Sequence, residues 1–284
     1  KKFAIFGPEG VKMTTPNHMA PDSDSLNQVS ATKALLEVKN LSKQFDGFQA
    51  IDSVDFLLSH GERHAIIGPN GAGKTTFFNL ITGHLKPTTG EIFYDHRSIL
   101  HLPPYAIVRL GLARSFQRIN IYPRMTVFQN VQVALIARNK KHLSFFSLAH
   151  NLYKQETEEL LELVNLAEET EGIAGELAYG KQKQLELAIS LASNPKLLLL
   201  DEPTAGMSPS ETIEAINLIK EISSARSLTL LFTEHDMSVV FGIADRISVL
   251  HHGRILTTGT PEEVRTDTAV KNIYLGDGDP NDPS

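Results

Sequence analysis

HAIIGPNGAGKTT, residues 64–76, decides the fold. Its first half, HAIIG, is an apolar run of strand length ending in glycine. Its second half fits G-x-x-x-x-G-K-[ST] through Gly68, Gly73, Lys74 and Thr75. TTFFNLITG (75–83) then has helical spacing up to a stop at Gly83. Strand, glycine loop and helix in that order form a phosphate cradle. Between Gly68 and Gly73, residues Pro69, Asn70, Gly71 and Ala72 let backbone amides turn inward as an anion nest. The helix that starts at Lys74, Thr75 and Thr76 aims its N-terminal dipole at the same charge. Lys74 can reach a β- or γ-phosphate, and the Thr75 hydroxyl can serve Mg²⁺. A plain glycine turn with a stray lysine would not need the strand before it and the helix after it.

Outward from this loop, strands alternate with helices. LLEVKNLSKQF, VDFLLS and GEIFYD (90–95) read as strands, and residues 105–112, 126–138 and 154–168 carry helical spacing. KLLLL (196–200) and SLTLLF (227–232) are continuous apolar runs, which predicts strands buried on both faces. Between them Ser208, Pro209 and Glu211 spell a capped helix start, followed by Ile213, Ile216, Ile219 and Ile222 along one face. RISVLHHGRILTTG (246–259) predicts a hairpin through His252-Gly253. The pattern is α/β with a largely parallel sheet. Residues 118–183 interrupt it as an inserted helical subdomain. Residues 1–33, rich in Pro, Ser, Asn and Asp, read as a flexible or appended tail, and 277–284 as a second tail, leaving 34–276 as the folded domain. FAIFGPEGVKMTT (3–15) imitates the loop but has Lys12 and Met13 where Gly73 and Lys74 stand, and carries no assigned chemistry.

Bulk properties narrow the function classes. A net charge of −6 argues against nucleic-acid binding by general phosphate attraction. With no cysteine, the 284 residues can form neither a disulfide framework nor a thiolate metal site. No apolar run approaches the roughly 20 residues of a membrane-spanning helix. The chain therefore reads as soluble, brought to any membrane by a partner.

The second half of the site lies downstream. LLLLDEP puts Asp201 and Glu202 at the end of a buried strand, where crevices form at the carboxyl edge of a parallel sheet. Asp201 is placed to organise Mg²⁺ through its water shell, leaving Glu202 free to orient or deprotonate an attacking water. His235, in LLFTEHD, follows another apolar strand and can donate to a γ-phosphate. His251, His252, Lys140 and Lys141 read as solvated surface.

GPNGAGKT, RSFQ (114–117), LAYGKQK (177–183), LLLLDEPTAG and TEHD occur in this order. Together they resemble the nucleotide-binding subunit of ABC transporters over nearly all of residues 35–276. The resemblance implies a RecA-like P-loop NTPase core with an antiparallel β subdomain and an inserted helical subdomain. It implies that Phe45 stacks on adenine. It makes Gln117 a Mg²⁺ contact at the hinge, Ala205–Ser208 the dimer-contact loop, and His235 the switch histidine. The expected ligands are ATP and Mg²⁺. In this family two subunits meet head to tail, so that ATP on one is capped by the signature segment of the other.

The usual signature is LSGGQ. Here Leu177 and Gly180 stand, while Ala178 replaces the serine, Tyr179 the first glycine and Lys181 the glutamine. The hydroxyl for the partner's γ-phosphate is missing, the amides and helix dipole remain, and Lys181 offers a compensating charge. The site built on this signature is thus expected to be the weaker of two, with a non-identical partner ATPase subunit in the complex and a homodimer as the alternative in isolation. LAYG, GLARSFQ, the long helical insert, DEPTAGMSP and VKNIYLG (270–276) further resemble the LivG-type ATPase of branched-chain amino-acid importers and their relatives for urea, amides or small carboxylates. That resemblance implies two membrane permease subunits, a solute-binding protein acting through them, and a place at the cytoplasmic face of the inner or plasma membrane. The alternatives are a soluble ABC ATPase not coupled to transport, and a catalytically impaired regulatory subunit.

Overall fold

A computed structural model describes residues 34–115, 120–139 and 153–275. The two tails, the 3–15 imitation, Gln117 and the Lys140-Lys141 pair lie outside the described residues.

The chain opens with a long hairpin, β1 (Ala34–Phe45) and β2 (Phe48–Ser59), followed by β3 (Arg63–Ile67) and α1 (Lys74–Ile81). Next come β4 (Thr89–Tyr94), β5 (Arg97–Ser98), α2 (Pro104–Arg109) and β6 (Leu112–Arg114). Three helices follow: α3 (Val127–Arg138), α4 (Lys154–Leu163) and α5 (Tyr179–Leu191). The chain then returns through β7 (Leu197–Asp201), α6 (Pro209–Arg226), β8 (Thr229–Thr233) and α7 (Met237–Ile243). It closes with the hairpin β9 (Arg246–His251) and β10 (Arg254–Gly259), then α8 (Pro261–Thr266) and α9 (Thr268–Leu275).

These strands make two sheets. An antiparallel one has the order β2-β1-β4-β5, and a six-stranded one the order β10-β9-β3-β8-β7-β6. Within the second, β9, β3, β8, β7 and β6 pair in parallel and β10 is an antiparallel edge. The apolar runs explain themselves here. Leu197 and Leu199 face the core shared with the antiparallel sheet and α1, while Leu198 and Leu200 face the core shared with α3–α7. Both faces are covered, so the period of two stays hidden in the sequence. All four leucines are at most 3% exposed. Each therefore contributes about 2 kcal/mol of burial, and truncating one would cost that plus a cavity.

Three expectations shift. The helix expected over 105–112 ends at Arg109, because Gly111 adopts φ +101 and its carbonyl accepts from the amides of Lys196 and Leu197. Leu112 and Ala113 are then buried in a short edge strand. The helix expected over 154–168 stops at Leu163, where Asn165 turns left-handed (φ 60) and a 3₁₀ turn follows. In α6 the cap is as expected, with Ser208 and Glu211 forming a capping box. Ile219 and Ile222 are buried, but Ile213 is 60% exposed. A spacing of three drifts about 60° per step against a 3.6-residue turn, so the first isoleucine has left the core face, where Leu218 sits instead.

Candidate active site

The phosphate loop sits where β3 leaves the parallel sheet, and space fixes its glycines. A Cβ on Gly68 would stand 2.1 Å from the Leu250 carbonyl oxygen, and one on Gly73 would stand 2.6 Å from the Ala50 carbonyl oxygen. The strands β9 and β2 therefore press on the loop, and the Gly253 amide donates to the Ala72 carbonyl at 2.9 Å. Gly73, at φ +109, starts α1 without a side-chain cap, so the first-turn amides keep no side-chain acceptor from that residue. Lys74 is buried and curls back, its Nζ donating to the carbonyls of Gly68 (2.6 Å) and Pro69 (3.2 Å). Burial pulls its pKa below the ordinary lysine value, and the charges of Glu202 and Asp201 oppose that shift. The tertiary fold has thus brought both acids beside the lysine. Thr75 is exposed, Thr76 half-buried, and Asn70 and Gly71 exposed.

Asp201 is 6% exposed at the end of β7. Thr233 Oγ1 donates to its Oδ1 at 2.8 Å, and Arg114 Nη2 to its Oδ2 at 2.8 Å. Arg114 also donates from Nη1 to Asn79 Oδ1 at 2.7 Å, and its guanidinium lies 5.5 Å from the Phe78 ring centre. The adjacent Glu202 has φ +51, a left-handed position unusual for a non-glycine residue, which turns its side chain away from the strand line. There Glu202 Oε1 accepts from His235 Nε2 at 2.8 Å. Glu202 and His235, expected at strand ends, do meet, and the charges of Glu202 and Asp201 reach Lys74.

Arg114 and Glu234 emerge as site residues with no earlier assignment. Glu234 is 4% exposed; its Oε1 accepts from the Thr204 amide (2.9 Å) and hydroxyl (2.7 Å), and its Oε2 from the His235 amide (3.2 Å). Burial raises its pKa, against these hydrogen bonds. Arg114 stands in RSFQ and Glu234 in TEHD, so the sequence signal was adjacency to expected residues. Their burial was not readable there.

Phe45 is 39% exposed at the hairpin end, opposite Phe48, with the Lys43 ammonium 4.8 Å from its ring centre. The hairpin's second strand supplies the Ala50 carbonyl that packs on Gly73, so Phe45 rides on the strand pair flanking the loop.

Residues 177–183 have a different set of neighbours. Leu177 is half-buried, Ala178 is the uncapped N-cap of α5, Tyr179 is 43% exposed and Gly180 is buried. Lys181 pairs with Glu169, so its charge is already engaged within the helical region. The compensating charge expected of Lys181 is therefore balanced at home.

Among the described residues no cluster of three His, Asp or Glu side chains could hold a metal alone. A buried ammonium, a glycine loop, an exposed hydroxyl and a strand-end carboxylate instead fit a magnesium–polyphosphate, in which phosphate oxygens complete the coordination.

Residues 51–205 match the ABC transporter family, and residues 254–280 match a family described as branched-chain amino acid ATP-binding cassette transporter. The chain belongs to the ABC transporter ATPase family. It is 40% identical over 253 residues to the high-affinity branched-chain amino acid transport ATP-binding protein LivG of Salmonella typhimurium strain LT2, covering 87% of this chain and 99% of the relative. In structure it resembles the ADP conformation of MJ1267, an ATP-binding cassette of an ABC transporter. The TM-score is 0.76 with 31% identity, over 86% of this chain and 99% of the other. It also resembles the dimeric post-hydrolysis state of the cassette MJ0796 bound to ADP and Pi, with TM-score 0.69 and 25% identity over 80% and 98% of the two chains. As an ABC cassette the chain is an ATPase. Among the described residues no helix is long and apolar enough to cross a membrane.

Proposed function

We propose that this chain is the ATP-hydrolysing subunit of an importer for branched-chain amino acids or a related small polar solute. It works at the cytoplasmic face of the inner or plasma membrane, held there by two permease subunits that a solute-binding protein loads. The observation that carries the catalytic part is the meeting of Lys74, Glu202 and His235 at the carboxyl edge of one parallel sheet. The solute class rests on the LivG likeness and on the match at 254–280. The rival soluble-ATPase and regulatory readings have no comparable support.

Lys74 holds the transferred phosphoryl group, with the loop amides around it. Thr75, Gln117 and Asp201 are the residues that would hold Mg²⁺, which neutralises charge on the phosphates when bound. Asp201 already accepts from Arg114 and Thr233, so it would serve a bound Mg²⁺ with both oxygens also held by these donors. Glu202 takes the proton of a water attacking the γ-phosphorus as the bond to the β-phosphate oxygen breaks, and ADP leaves. His235 steadies Glu202 and reports loss of the phosphate. Phe45 stacks on the base. A second ATPase subunit provides the opposing half-sites, a reading the dimeric form of the relative supports. The altered signature favours a non-identical chain in the complex, with a homodimer as the alternative for the isolated chain. The helices between β6 and β7 carry the motion to the permeases.

Glu202→Gln in the assembled complex should keep ATP binding and slow hydrolysis at least about a hundredfold, holding the ATPase subunits together. Near-normal turnover would place the base elsewhere. Lys74→Ala should abolish binding or turnover. Uptake of leucine, but not urea, by the reconstituted complex would fix the solute class.

A further inference from the structure

Glu234 and His235 are the two residues that join the end of β8 at Thr233 to Asp236, the N-cap of α7. Opposite them the chain leaves β7. Strand pairing between the two segments ends at Asp201 opposite Thr233, and the Glu202 amide donates to the Thr233 carbonyl at 3.0 Å. Past that point one carboxylate takes over. Glu234 Oε1 accepts from the Thr204 amide at 2.9 Å and hydroxyl at 2.7 Å, and Oε2 accepts from the His235 amide at 3.2 Å. The Thr204 carbonyl accepts in turn from the Met207 amide at 3.1 Å, so the turn entering 205–208 is built on the residue that Glu234 holds. Glu234 and Thr204 are 4% and 6% exposed. The His235 side chain is 48% exposed and reaches Glu202 from its Nε2. With so little packing around the ring, its place is set by its backbone. Burying a third carboxylate near Glu202 is unfavourable, and three donors offset that cost.

We infer that Glu234 is a positioning residue for ATP hydrolysis, fixing the His235 backbone so that the ring meets Glu202 and tying that pair through Thr204 to the 205–208 loop. This deepens the reading given under Proposed function and rests on Glu202 and His235 acting there as the hydrolytic pair. Glu234 itself touches neither water nor phosphate in this scheme. Its two oxygens face opposite segments, so a shift of His235 on phosphate loss is felt at Thr204 and at the loop that follows it.

Glu234→Gln separates positioning from simple satisfaction of buried donors. Glutamine fills the same space with one acceptor oxygen, so in either orientation its NH2 group faces a backbone N–H, that of Thr204 or that of His235. In the assembled complex, below the melting temperature of the variant, kcat should fall about tenfold while KM for ATP stays within about twofold. In a His235→Ala background, followed by single-turnover phosphate release, Glu234→Gln should cost no more than about a further twofold, because the group it acts through is gone. An unchanged kcat, or losses that multiply in the double variant, would overturn the inference. Hydrogen–deuterium exchange on the purified chain gives a second measure. Thr204→Val removes the hydroxyl donor alone, and should quicken exchange at the His235 amide as well as at 204, by about twofold or more, with 68–76 at the wild-type level. Loosening confined to 203–206 would also overturn the inference. Near-normal turnover of His235→Ala would overturn the underlying reading instead, leaving the exchange result in place.

Discussion

Removing the Arg114 guanidinium tests how the acidic end of β7 is held. Arg114 and Asp201 side chains are each 8% exposed and 2.8 Å apart. Their pairing takes place out of water, where each needs the other. Arg114→Met keeps much of the apolar stem against Phe78 but leaves the Asp201 carboxylate buried with the Thr233 hydroxyl. Breaking a buried pair from one side costs about 3–5 kcal/mol, because a charge is left behind. At about 2–4 °C per kcal/mol for a domain of this size, thermal unfolding should fall by about 6–20 °C. Arg114 also holds Asn79, so the single variant mixes two losses. A double-mutant cycle isolates the pair. Asp201→Asn removes the stranded charge, and Arg114→Met with Asp201→Asn together should be less damaging than the sum by at least about 1.5 kcal/mol. The assay is circular dichroism melting of the purified chain, with denaturant midpoints as a second measure. Additivity within about 0.5 kcal/mol would refute the claim that the two charges support each other.

Three further outcomes follow from the same geometry. Gly68→Ala should cost about 3 kcal/mol, because its Cβ meets the Leu250 carbonyl at 2.1 Å, whereas Gly71→Ala, with nothing within 4 Å but φ +80, should cost only about 1–2 kcal/mol; equal denaturation midpoints would contradict this. Ala178→Ser restores a cap hydroxyl worth about 1 kcal/mol, so ATPase turnover of the assembled complex should rise a few-fold; no change would remove the case for a weakened composite site. For Asp245, burial pushes the pKa up, but the Arg63 side chain and amide hold it below the ordinary carboxylate value. A lowered folded pKa gives stability that is complete above the unfolded value of about 3.9 and is lost as pH falls through the folded one. The melting-temperature gap between wild type and Asp245→Asn should therefore shrink as pH drops below about 4. A gap independent of pH would show that the Arg63 pair contributes no linkage.

The sequence by itself determined the glycine loop between β3 and α1, the acidic and histidine ends of the buried strands β7 and β8, the α6 cap and the closing hairpin. Each is a local signal: glycine spacing, an unbroken apolar run, Ser-Pro-x-Glu, His-Gly. The same locality explains the shortfalls. Nothing near Leu112 says that three residues after a helix will become the edge strand beside β7, since that depends on the carbonyl of Gly111 meeting Lys196 and Leu197. Nor does an arginine in RSFQ announce that a carboxylate 87 positions later lies 2.8 Å away. The unusual signature is the sharpest case. Ala178 and Tyr179 read as losses along the chain, because the groups that surround this segment, Gly206 under the Tyr179 ring and Glu169 paired with Lys181, are distant in sequence. Short-range chemistry is written in the sequence. Which distant groups satisfy a buried charge is settled only when the strands order themselves and bring those groups together.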